Sequence, residues 1–412
     1  MAYQYINKLK VQNFGPVRAG FSDNEGYMEI PQVTIFCGTQ GTGKSTIAKL
    51  YSTFVWLEKA LMRGDVSEAY VTQYSRFSKK YLAFQGIQNY SKEDSYIHYK
   101  GMCYDFEYKE GKLAIYNHID RLGYNRPQVM YVPAERNLLG VLDKAANVKG
   151  MPESLAEMLG EYRQACQSLK SDLMLPVNGV SFHYDSLNQM GSIVSPDYKV
   201  RISEASSGLQ SLSPMYVTLS HIHDIVVNGK NGDLTKTTKE EQELIEKRVH
   251  DILLDDTLSD EMRSALVKKL YDNGNKCLVS IIEEPEQNLF PDSQEKLLYS
   301  LLRLSGSRAN QLMLTTHSPY IIDYLCLAIK SHDVADKVNE EGMENLCSIV
   351  PREAWIDGRS VAVYQMNLDG TIKLLPQYEN MPSDNNVLNM SLADINVKFS
   401  NLVETEMIYG KA

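Results

Sequence analysis

Residues 33–46 read VTIFCGTQGTGKST, an apolar run followed by a glycine-rich turn and then a lysine with two hydroxyl residues behind it. Gly38, Gly43, Lys44 and Ser45 stand at the fixed positions of the pattern G-x-x-x-x-G-K-[ST]. The apolar Val33–Phe36 predicts a buried strand entering the turn, and the periodicity of Thr46–Leu61 predicts an amphipathic helix leaving it. Glycine is needed where backbone N–H groups must curl around a phosphate, because a Cβ would obstruct that shape. The helix N-terminus adds partial positive charge. On this reading Gly38, Thr39, Gln40, Gly41, Thr42, Gly43, Lys44, Ser45 and Thr46 cradle the phosphates of ATP. Lys44 reaches the β- and γ-phosphates, and the Ser45 hydroxyl ligates Mg2+.

Two later stretches end apolar runs on chemistry-bearing residues. Leu278–Ile282 runs into Glu283 and Glu284, and Leu312–Thr315 runs into Thr316, His317, Ser318 and Pro319. Acids at the C-terminal end of a parallel strand lie where ligands bind in such sheets. Neighbouring strand residues point to opposite sides, so the two acids take different roles. Glu283 is assigned to Mg2+, held through water, and Glu284 to orienting or deprotonating the attacking water. His317, at the edge of the second strand, can donate a hydrogen bond to the γ-phosphate or to that water. Lys44, Glu284 and His317 are therefore the expected catalytic set. His221 and His223, in HIHD, are read as structural and given no function.

Composition narrows the class. The 412 residues carry a formal charge of −10, which disfavours wholesale nucleic-acid binding and leaves room only for a local basic face. The six cysteines are scattered with no CxxC pair, which argues against a zinc site or a disulfide framework and for reduced thiols in a cytoplasmic protein. The N-terminus alternates apolar and polar residues as no signal peptide does, and no run approaches the ~18 apolar residues of a membrane span.

Outward from the loop, Tyr5–Asn13 reads as an alternating edge strand, and Ile97–Tyr116 as two strands joined at Glu110-Gly111. Val129–Val132 is a short strand ending at Pro133. Residues 141–176 read as a polar, helix-prone arm or lid, and Val180–Ile202 as strands leading into SSGLQS, which caps a helix beginning near Leu209. Residues 229–276 read as a charged helical insertion. Residues 350–412 form a C-terminal unit, with a hairpin over Val361–Leu375 turning at Asp369-Gly370 and a helix over Leu388–Glu404. Because the motifs of one site run from residue 38 to residue 317, they imply a single discontinuous head across 1–412.

The set GTQGTGKS, SSGLQS, IIEEPEQNLFP and TTHSPY, with the opening LKVQNFGPV, resembles the ABC-type ATPases of the SMC, RecF and OLD branch. It is similar in particular to the stand-alone AAA-type ATPase subunits that accompany bacterial anti-phage effectors, as in the PARIS system. The resemblance implies an α/β P-loop NTPase fold with an ABC-type head: a mixed, mainly parallel core sheet, flanking helices, an antiparallel β subdomain and helical insertions. It implies that Ser206, Ser207 and Gly208 form the signature that closes on the γ-phosphate held by a partner subunit, so the chain is at least a homodimer. Asn288 and Leu289 would join the two sites. Glu135 and Arg136 stand where transporter-like members carry a glutamine, and their roles stay open. With about 95 residues after His317, an effector is expected on a separate polypeptide. The alternative is a RecF-like DNA repair ATPase, which predicts a basic stripe and hydrolysis stimulated by DNA.

Overall fold

The computed structural model describes residues 5–118, 124–142, 148–228, 249–250, 252–255, 258–259, 262–263, 277–306 and 309–409. Most of the expected insertion at 229–276 therefore lies outside the described residues.

A seven-stranded sheet organises the chain, in the order Gly20–Phe21, Thr371–Leu374, Val361–Met366, Val33–Gly38, Gln311–Thr316, Cys277–Glu283, Pro127–Val132. The last five run parallel to one another, and Val361–Met366 turns back antiparallel onto Thr371–Leu374 as the expected hairpin. The core strands are apolar on both faces because both faces are covered. Val33, Ile35, Leu278, Ile282, Leu312 and Leu314 pack into one core, and Phe36, Val279, Ile281 and Met313 into the other. The first core is closed by the helices Glu153–Ser168, Ser207–Asn228, Pro291–Leu304 and Pro319–Ala335. The second is closed by the helix Lys44–Arg63 and a five-stranded antiparallel sheet. This is the α/β P-loop fold with an antiparallel β subdomain that the motifs led us to expect.

Three expectations change. The strand Asn7–Gln12 is no edge: it pairs with Met28–Ile30 on one side and Tyr96–Lys100 on the other. Its alternation reports one buried face, with Leu9 and Val11 inward, and carries no information about lateral neighbours. The expected arm is also partly body. Leu155, Met158, Tyr162, Ala165 and Cys166 of Glu153–Ser168 are buried in the first core. The helix after SSGLQS begins at Ser207, two residues before the expected start, and runs through Pro214.

One buried carboxyl ties the two parts of the second core together. Glu58, on the helix that follows the phosphate loop, accepts from the Tyr99 hydroxyl and the Tyr104 backbone N–H of the antiparallel sheet, and from the Cys103 N–H in the turn between those strands. Burial pushes its pKa up to about 7 against those three donors.

Candidate functional site

The phosphate loop adopts the left-handed backbone that its glycines permit. Gly41 and Gly43 have φ of 76° and 97°. Gly38, at φ 148°, is constrained by space as well, since a Cβ there would lie 2.3 Å from the Met366 carbonyl oxygen of the neighbouring strand. Lys44 Nζ folds back over the loop and donates to the carbonyl oxygens of Gly38 and Thr39, both at 2.8 Å. Burial lowers its pKa to about 8, against the pull of Glu284, Cys37, Glu286 and Glu283.

The strand Cys277–Glu283 delivers its last carboxylate to the same place. Glu283 is buried, accepts from the Tyr131 hydroxyl at 2.5 Å, and is hydrogen-bonded by Ser45. Burial raises its pKa, while Tyr131, Lys49 and Ser45 pull it down. A serine hydroxyl and a carboxylate form the hard oxygen donor set that suits Mg2+.

The next residue leaves the strand in a sparsely populated conformation, with Glu284 at φ 45°. Its Oε1 lies 3.4 Å from His317 Nε2, and His317 Nδ1 lies 3.4 Å from Lys44 Nζ. The structure thus brings Lys44, Ser45, Glu283, Glu284 and His317 to one edge of the sheet, at the ends of three parallel strands. The hydrogen bond from His317 holds the Glu284 carboxyl below the usual range, so it is ionised at neutral pH.

Three residues that the sequence reading left without a role complete the arrangement. Arg136 is wholly buried, and its guanidinium fork donates to the backbone carbonyls of both Glu283 and Glu284, each at 2.6 Å. Glu286 accepts from the Thr316 hydroxyl at 2.8 Å and from the His317 backbone N–H at 2.7 Å, and so fixes the turn that carries the histidine. Tyr131 supports Glu283. Glu135, beside Arg136, is exposed.

Ser206, Ser207 and Gly208 stand apart from this cluster in their contacts. Both serines are exposed at the start of a 22-residue helix. Gly208 packs so closely on the Asn288–Leu289 loop that a Cβ would lie 2.7 Å from the Asn288 carbonyl oxygen. Ser211 adds a hydrogen bond to Gln287 Oε1 at 3.0 Å. The signature stretch is therefore built onto the loop that follows the acid pair. Among the described residues no group of three or more His, Cys, Asp or Glu could hold a metal ion.

Comparison with known proteins agrees at the level of the motif. Residues 261–322, which contain Glu283, Glu284, Glu286 and His317, match the family model of the AAA ATPase domain. No curated protein matches the chain. Among solved structures the chain is similar to the SMC head domain from Thermotoga maritima, with 12% identity, 91% of this chain and 100% of that chain covered, and a TM-score of 0.37. It is similar to the Smc head with an extended coiled coil from Pyrococcus furiosus, at 10% identity, 90% and 96% coverage and a TM-score of 0.35. An ATP-binding cassette of an ABC transporter in its ADP conformation overlaps at 12% identity, 96% and 99% coverage and a TM-score of 0.35. Superpositions this loose say nothing about function. No helix among the described residues is long and apolar enough to cross a membrane.

Proposed function

We propose that the chain is a Mg2+-dependent ATPase whose sites are shared between copies, and that it acts as a sensor or scaffold controlling a separate effector protein. The observation that carries the catalytic part is the convergence of Lys44, Ser45, Glu283, Glu284 and His317 at one sheet edge, beside a loop whose Gly41 and Gly43 take the left-handed backbone. Bound Mg2+, held by Ser45 and Glu283, would neutralise charge on the phosphates. The chain supplies the remainder. Backbone N–H groups of 38–46 and Lys44 hold the phosphates, Glu284 takes the proton of the attacking water, and His317 orients Glu284 and presents its ring to the terminal phosphate.

Sharing between copies is supported by the exposed N-terminus of the Ser207 helix. A serine hydroxyl and helix N–H groups form an anion site, and two hydroxyls left in solvent at such a terminus are available to phosphate on a second copy. Control of an effector, in anti-phage defence, rests on the resemblance of the motif set to the ATPase subunits of such systems.

Mixing two inactive variants tests this reading. Lys44→Ala removes the phosphate clamp and Ser207→Arg blocks the signature, so each alone is expected to be inactive. If sites are shared, a heterodimer has one intact site, and an equimolar mixture regains about a quarter of wild-type turnover. A mixture that stays dead while both variants still associate overturns the shared site.

Lys44 adds a pH dependence. Its charged form binds phosphate, and its pKa is lowered to about 8, so ATP affinity should hold below that pH and weaken above it. Titrating a fluorescent ATP analogue between pH 6.5 and 9.5 should show the decline, approaching tenfold per pH unit at its steepest. Lys44→Arg, which does not titrate in this range, should flatten it.

A further inference from the structure

The helix Val387–Tyr409 is pinned to the head at its start. The Val387 N–H donates to Gln365 Oε1 at 2.7 Å, Leu388 is buried, and the buried Asn386 side chain accepts from the N–H groups of Leu388 and Asn389. Residues 393–409 are then all exposed, a stretch of roughly 25 Å at 1.5 Å per residue. The composition of that stretch is nevertheless that of an interior helix. Ile395, Phe399, Leu402 and Tyr409 are 61%, 67%, 67% and 77% exposed, and Met390, Val397 and Ile408 stand in solvent too. At roughly 150–250 Å2 for a large side chain these seven leave roughly 900 Å2 in water, more than the ~300–600 Å2 of the largest patch on a typical monomer and close to the ~800 Å2 that each partner brings to a stable interface. The hydroxyls of the helix are ready for burial as well. Ser391, Ser400 and Thr405 donate to the carbonyls of Val387, Asn396 and Asn401 one turn back, so their polarity is satisfied within the helix.

Spacing and charge select the partner. Ile395, Phe399, Leu402 and Tyr409 recur at intervals of four, three and seven residues, the seam of a two-heptad coiled coil, and such a seam packs on another helix of the same period. Residues 387–409 carry Asp394, Glu404 and Glu406 against the single cation Lys398, whereas helices that lie on lipid are rich in lysine and arginine. Glu406 holds the seam position between Leu402 and Tyr409. In a parallel pair of copies the two Glu406 carboxylates meet face to face. In an antiparallel pair centred between Phe399 and Leu402, residue 406 of one copy lies across from residue 395 of the other, which brings Glu406 within a turn of the other copy's Lys398. The chain is thus complementary to itself in one orientation, and a two-fold pair of this kind needs no second component.

We propose that Val387–Tyr409 is a self-association element, through which two copies of the chain pair antiparallel along the Ile395, Phe399, Leu402 and Tyr409 seam. The pairing uses neither nucleotide nor the signature serines, so it is an interface separate from the shared ATP sites and does not rest on the ATPase reading. Met390, Val397 and Ile408 form a narrower stripe on the opposite side of the helix, open to a further neighbour once the pair has formed.

Sedimentation velocity of the full chain, free of nucleotide and carrying Lys44→Ala to silence ATP-driven assembly, reads the pairing directly. A dimer or a larger species is expected at micromolar concentrations. Phe399→Glu together with Leu402→Glu should return the chain to a monomer with an unchanged melting curve, because both side chains stand in solvent in the single copy. Lys398→Glu should weaken association severalfold, and adding Glu406→Lys should restore it; failure to restore overturns the antiparallel orientation. The pairing itself is overturned if the nucleotide-free chain stays a monomer throughout the micromolar range, or if the double glutamate variant associates as the parent does. A monomer that floats with phosphatidylcholine–phosphatidylglycerol vesicles assigns the face to lipid, and a monomer that does not float leaves it to a different protein; both outcomes count against self-pairing. Because nucleotide is absent, a failure of shared ATP sites in the mixing experiment leaves this result untouched.

Discussion

Glu284→Gln is expected to lower ATP turnover by roughly 10²–10⁴-fold, the usual contribution of a positioned general base, while nucleotide affinity stays within a few fold. The substitution keeps the size and one carbonyl oxygen of the side chain, so the contact with His317 survives in part and the loop that holds phosphate is untouched. What it removes is the proton acceptor. In the wild type the His317 contact keeps the Glu284 carboxyl below the ordinary range, so it is ionised near neutral pH. A rise of turnover with pH near neutrality would then have to come from another group.

The variant also separates chemistry from assembly. If phosphate bridges two copies, blocking hydrolysis holds the bridged state, and ATP should shift the variant to a larger species on gel filtration that ADP does not support. Phosphate release within about threefold of wild type would remove Glu284 from the catalytic role, since a mispositioned bystander gives effects of that size.

How much of this was legible in the chain depends on how locally each feature is encoded. The strand, glycine turn and helix around Lys44 were fully legible, because they are contiguous and each needs its neighbour. The ends of the strands Cys277–Glu283 and Gln311–Thr316 were legible for the same reason: an apolar run that stops on an acid or a histidine places that residue at a sheet edge. Arg136 was visible as a residue and opaque as a role. Its partners lie 147 and 148 positions away and are backbone carbonyls, which leave no mark on side-chain composition. Tyr131 reads as one more apolar position in a strand until its hydroxyl meets Glu283, 152 residues on.

Glu286 did leave a signal, as the third acid of EEPE, too many for a metal ligand and a base alone. The helix Glu153–Ser168 left one as well, since Leu155, Met158, Tyr162 and Ala165 recur at the spacing of a single buried face. Its abundant charged residues obscured that stripe, and a polar surface with a buried stripe is how a helix covers a sheet.

Arg136→Met is expected to be the most damaging substitution away from the reacting atoms. The side chain is wholly buried and satisfies the carbonyls of Glu283 and Glu284 at once. It is also the cation facing Glu286, Glu284, Glu283 and Glu135, whose attraction opposes the burial that brings its own pKa down to about 10. Methionine fills much of the volume but takes the fork from two carbonyls and leaves the carboxylates with one buried cation fewer. Removing one side of such a buried network costs roughly 3–5 kcal/mol, to be read from the denaturant midpoint. The catalytic consequence is separable. The fork is what fixes the peptide at Glu284, whose φ of 45° needs external support. Lysine restores the charge without the fork, so Arg136→Lys should recover a good part of the stability while turnover stays low and the KM for ATP changes little. If the lysine variant recovers turnover in step with stability, Arg136 acts only as a buried counter-charge. If the methionine variant is as stable and as active as wild type, the grip on the two carbonyls contributes nothing.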